Sequence, residues 1–171
     1  MQTLWAGPWL NKVSGYTALE AATGLFWINV SMLLAFWGWG MVNPWLTRHG
    51  YNANRLIGWG LPFNLLAMFG VVWGGADTGT LTWIAFFITN TVVSLAQPAV
   101  GMAFPAHLAG RALSAYNLVI FSGIFVVQWG IGLVVDFARG AGLDKPAAYQ
   151  VALAGFAVCS SLSWVYFVIS R

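Results

Sequence analysis

The side chains able to do chemistry in this sequence of 171 residues are few, and most are neutral amides set in apolar runs. Asn29, Asn90, Gln97, Asn117 and Gln128 each stand among Leu, Ile, Val, Ala, Phe and Trp. Such an amide either bonds to a neighbouring helix or faces a wet cavity where it can hydrogen-bond a polar solute, because a polar group turned to hydrocarbon is costly. Both readings stay open from the residues alone. Asn90 and Gln97 are seven apart, two helical turns, so an unbroken helix puts them on one face. Trp37, about two turns beyond Asn29, could stack a planar ligand or simply pack. Asn64 reads as a structural amide.

An enzyme would need a nucleophile with a base, a metal cluster or a loop that cradles phosphate, and none is present in the sequence. Gly38-Trp39-Gly40 and Gly130-Ile131-Gly132 are too short for a dinucleotide fingerprint and lie within apolar runs. No cofactor and no metal are expected. Cys159 is the single cysteine, which leaves no disulfide framework and no paired-cysteine site. Seven Lys plus Arg, scattered singly, form no phosphate-tracking stripe, so nucleic acid is not an expected partner. Glu20, His49 and His107 fall near the ends of runs, and no carboxylate or histidine stands at mid-depth to carry a coupled proton.

The elements that must position these amides follow from the spacing of the charges. The chain is 60% hydrophobic and 6% charged. That is too little polar surface for a fold in water of this size. A charge at mid-bilayer costs several kcal/mol, and a spanning helix needs about 20 apolar residues. Uncharged stretches of that length predict helices near 18–43, 56–75, 81–104, 112–137 and 147–169. Connectors are expected at Asn43-Pro44 with Asn52 to Asn54, at Gly74 to Gly79, at Ala106 to Gly110 and at Gly140 to Pro146. Trp5, Trp9, Trp45, Trp59, Trp73, Trp83 and Trp164 fall near predicted ends, where an indole is stable at headgroup level. Pro98 and Pro105 are placed to kink the third helix.

The expected fold is therefore an all-α integral membrane bundle of five full transmembrane helices, one membrane domain over 1–171 with lipid as its surroundings. One set of loops holds Arg48, Arg55, Arg111 and Arg171 without an acid, while the other mixes Lys12, Arg139 and Lys145 with Glu20, Asp77, Asp136 and Asp144. The positive-inside rule then makes the first set, and the C-terminus, cytoplasmic. The apolar opening up to the first charge at Lys12 is about half a span and reads as a partial helix over 1–11, or as a short segment lying on the membrane.

Two stretches resemble the second half of major facilitator superfamily transporters. Leu4-Trp5-Ala6-Gly7-Pro8-Trp9-Leu10 is similar to the outer end of the family's seventh helix, and Gly110-Arg111-Ala112-Leu113-Ser114-Ala115-Tyr116-Asn117 is similar to the cytoplasmic link between the tenth and eleventh. Thr47-Arg48-His49-Gly50 keeps only the Arg-x-Gly part of the family's loop motif, with Thr47 where the acid would stand. The resemblance covers nearly the whole chain and implies that the five spans are helices eight to twelve.

It further implies that helices eight, ten and eleven line a central cavity, which would make Asn29, Trp37, Asn90, Gln97, Asn117 and Gln128 candidates for contact with a small solute. It implies a place in a bacterial inner membrane, and a fragment that lacks the N-terminal half, which another part of the protein or a second chain would supply. The alternative is a truncated or split membrane subunit without transport activity alone.

Overall fold

The computed structural model describes residues 5–170, and these are helical apart from short turns, with no strand among them. The expectations for Met1 to Leu4 and for Arg171 lie outside the described residues. A short helix α1 (Gly7–Lys12) is followed by α2 (Ala18–Arg48) and α3 (Ala53–Gly74). The third long segment consists of α4 (Thr80–Asn90), a 3-10 stretch (Thr91–Leu95) and α5 (Ala96–Met102). Two long helices close the chain, α6 (Ala106–Gly140) and α7 (Lys145–Ile169). Five segments are long and apolar enough to cross a membrane: Ala18–Arg48, Ala53–Asp77, Thr80–Met102, Ala106–Gly140 and Lys145–Ile169.

The starts of these helices are written locally. The Thr17 hydroxyl accepts from Glu20 N while the Glu20 carboxylate accepts from Thr17 N, a reciprocal cap that satisfies two free donors of α2. The side chain of Asn52 accepts from Arg55 N at 2.8 Å, and Asp144 accepts from Ala147 N at 2.9 Å. Each thereby satisfies a donor that the first turn of its helix leaves free. These caps explain why α3 begins at Ala53, ahead of the expected 56. Gly50 and Gly142 sit at φ 81° and 93° in the turns after α2 and α6. That backbone region costs other residues energy.

Two connectors and one helix differ from the sequence expectation. α2 runs through Pro44 to Arg48 and does not stop at 43, since a proline within a long apolar helix removes one hydrogen bond but need not end the helix. Ala106 to Gly110, read as a link, is the first part of α6, which starts directly after Pro105. The third segment is interrupted by the 3-10 stretch. The β-branched run Thr91-Val92-Val93 crowds an α-helix, and Pro98 has no N–H to donate to the carbonyl of Ser94, so the turn tightens at that point.

Packing follows an arc. α2 packs on α4, α4 on α3, α3 on α7 and α7 on α6, while α5 reaches across to α6. α2 and α6, at the two ends of the arc, share no packed interface among the described residues. α1 packs on α2 and on α7, with Trp9 and Leu10 fully buried. Trp9 and Trp83 are thus core residues, not headgroup anchors; Trp45, Trp59 and Trp73 are exposed near helix ends.

Helices in lipid gain little from apolar contact alone, so close approach and hydrogen bonds carry much of the association. The Asn64 amide donates to Phe86 O at 2.8 Å and lies 3.3 Å from Thr89 Oγ1, tying α3 to α4. Trp164 Nε1 donates to Gly58 O at 3.1 Å, tying α7 to α3, and Trp39 Nε1 donates to Thr91 Oγ1 at 2.9 Å, tying α2 to the 3-10 stretch. Asn64→Ala is expected to lower stability by about 1 kcal/mol, measured by unfolding in mixed micelles at increasing SDS fraction. A midpoint unchanged from the parent protein would show that the bond contributes nothing.

Candidate functional site

The open side of the arc forms a groove of about 640 Å³. Met32 lines it from α2, Asn64 from α3, Phe86, Phe87 and Asn90 from α4, Gly123, Val127 and Gln128 from α6, and Phe156, Ser160 and Trp164 from α7. Five helices thus contribute to one concave surface that is mostly apolar with a few polar groups, the usual composition of a small-molecule site.

Two of the six candidate residues meet there. Asn90 is exposed and Gln128 half-buried, and neither side chain has a hydrogen-bond partner among the described residues. Each amide offers one acceptor and two donors, so together they can hold a solute carrying both kinds of group. Asn64, at the same wall, has its amide nitrogen committed to Phe86 O. It shapes the groove more than it offers a bond to a ligand.

The other four candidates stand elsewhere. Asn29 is exposed on α2 and donates to its own helix, at Leu25 O, 2.7 Å away. Trp37 is 67% exposed and belongs to the apolar outer surface of α2, with Leu33 and Leu34 close by. Asn117 is half-buried on α6, nearer that helix's start, and does not line the groove. Gln97 is exposed on α5.

Gln97 is separated from Asn90 by geometry that the spacing of seven conceals. Each residue of a 3-10 helix turns about 120° against about 100° in an α-helix, so five residues add about 100° of rotation. Asn90 then faces the groove and Gln97 does not share its face.

No family model matches this chain, and no curated protein or solved structure matches it.

The groove is the feature of the fold that bears on function. Residues with no part in the sequence reading contribute to it: Ser160 and Phe156 on α7 and Met32 on α2. Ser160, Ser163 and Trp164 follow an i, i+3, i+4 pattern, which places them on one face of α7, and that spacing was the available signal. Gly123 has nothing within 4 Å of where a Cβ would stand, so it leaves room in the α6 wall. Among the described residues no group of three or more His, Cys, Asp or Glu could hold a metal ion.

Proposed function

We propose that this chain is an integral membrane bundle forming one half of a secondary transporter related to the major facilitator superfamily, with the groove as its share of a site for a small polar solute. The observation that supports this most directly is the pair of unpartnered amides, Asn90 and Gln128, facing one groove from the helices that the resemblance matches to the cavity-lining tenth and eleventh. The α2 surface matched to the eighth helix is broadly exposed and apolar, as a face awaiting a second half would be. On this reading the C-terminus is cytoplasmic in a bacterial inner membrane, the partner is the N-terminal half, in the same protein or in a second chain, and no transport is expected from residues 1–171 alone. The open groove between α2 and α6 fits equally a split membrane subunit that becomes active only on assembly.

In the assembled transporter, Asn90→Leu and Gln128→Leu are each expected to lower solute uptake roughly tenfold, the about 1.4 kcal/mol that one lost hydrogen bond to a polar group can cost. The amount of protein in the membrane should not change. Asn29→Leu should leave uptake near the parent value, because its amide is already bonded to Leu25 O. Parent-level uptake in both groove variants would remove the groove from the transport path.

A further inference from the structure

All four side-chain carboxylates of the sequence stand at one end of the bundle: Glu20 in the first turn of α2, Asp77 just after α3, Asp136 near the end of α6 and Asp144 just before α7. Two have local work. Glu20 accepts from Thr17 N and Thr17 Oγ1, both at 2.8 Å, and Asp144 caps α7. Asp77 closes a 3-10 turn and lines none of the cavities described. Asp136 has no hydrogen bond or ion pair among the described residues, although it lies near the C-terminal end of α6, where the aligned carbonyls disfavour a negative charge.

Asp136 opens instead onto a second cavity of about 370 Å³, shared with Trp5, Phe125, Gln128 and Trp129. Phe125, Trp129 and Asp136 recur on one face of α6, with Gly132 between them leaving space that the Trp5 ring approaches from the start of the chain. Trp129 is exposed, so its indole is available to a ligand. A carboxylate and two indoles, Trp5 and Trp129, lining one cavity match one chemistry. The carboxylate balances a positive charge, the rings attract it through their negative faces, and the amide of Gln128 can orient a polar substituent. Lys12, Arg139, one turn beyond Asp136, and Lys145 are the cations at this end of the bundle, and all three are exposed without an ion pair to Asp136 among the described residues.

We propose that this cavity is a binding subsite for a small organic ammonium ion. Gln128 lines both this cavity and the groove that holds Asn90, so the two spaces share one wall residue. Its part in transport rests on the function proposed above, whereas the binding itself does not.

The test is equilibrium binding of radiolabelled tetraethylammonium to the chain in phosphatidylcholine nanodiscs, a readout that requires no transport. Saturable binding is expected, weakened roughly threefold to fivefold by Asp136→Asn and roughly twofold to fivefold by Trp129→Leu. Asp77→Asn, at the same end of the bundle but outside the cavity, should bind as the parent does. The uncharged isostere 3,3-diethylpentane should not displace the label. Three outcomes would overturn the proposal: no saturable binding, parent-level binding by Asp136→Asn, or an equal loss in Asp77→Asn, which would reveal a general field of the acidic end. Asp136 is exposed and unpaired, so its asparagine variant should fold as the parent does.

Discussion

Trp83→Ala is expected to lower the free energy of unfolding by about 3–5 kcal/mol, the range for removing a large aromatic side chain from a packed interior. Trp83 is fully buried at the point where α1, α2 and α4 meet. Its ring meets Trp9 edge-on at 6.0 Å, Phe86 edge-on at 5.9 Å and Phe87 nearly parallel at 5.7 Å. Its loss therefore leaves Trp9 without an aromatic partner and Phe86 and Phe87 with only each other. Much of this energy is dispersion, which lipid does not replace in a cavity too enclosed for acyl chains to enter. Trp83→Phe provides the control. It keeps a ring in place and removes an indole N–H that has no acceptor among the described residues. Its cost should stay near about 1 kcal/mol. SDS unfolding of both variants separates ring volume from polarity. Equal losses in the two would show that the ring contacts are not what holds α1 in place.

The second large effect is expected at Gly60. A Cβ added there would lie 2.9 and 3.0 Å from the two methyl carbons of Val92 and 3.2 Å from its Cβ. Rotating the Val92 side chain cannot relieve the last of these contacts, so α3 must move away from the 3-10 stretch. Overpacking of this kind costs about 1–3 kcal/mol, and the backbone gain of alanine over glycine, about 1 kcal/mol in a helix, offsets only part of it. Gly60→Ala should therefore destabilise, and Val92→Ala in the same chain, which removes the two methyl contacts but keeps the Cβ, should restore part of the loss. That positive coupling, of about 0.5–3 kcal/mol in a double-mutant cycle, is the result to look for. Gly40→Ala, with nothing within 4 Å of the new Cβ, should be neutral or mildly stabilising. Additive effects of the Gly60 and Val92 changes would mean that the two helices are not in contact at this point.

The five long helices were legible because charges are so rare that each one marks the end of an apolar run. Helix starts were less legible. Asn52 marked a cap and not merely a loop, and Pro105 opened α6 where the small and polar residues from Ala106 to Gly110 suggested a link. The site was legible in residue type but not in direction. A polar side chain in an apolar run signals that it needs a partner, yet Asn29 finds one in its own helix four residues back, Asn64 finds one across an interface, and Asn90 and Gln128 find none among the described residues. Nothing in the spacing separates these cases. Trp9 and Trp83 show the same limit, since position near a helix end suggested an interfacial indole and packing placed both in the core.

The 3-10 stretch from Thr91 to Leu95 acts on the third long segment as a phase slip of one residue. Deleting a single residue from an α-helix turns everything beyond it back by about 100°, the same angle that five tightened residues add. The segment therefore carries two packing faces written in different frames: α4 in the frame that meets α2 and α3, and α5 in the frame that meets α6. A chain one residue shorter here, with the tightened turn retained, would return Gln97 to the frame of Asn90 but would turn the α5 contact face away from α6. The length of these five residues is thus constrained even where their identities are not, and changes in length should be tolerated far less at this point than in the loops at either end.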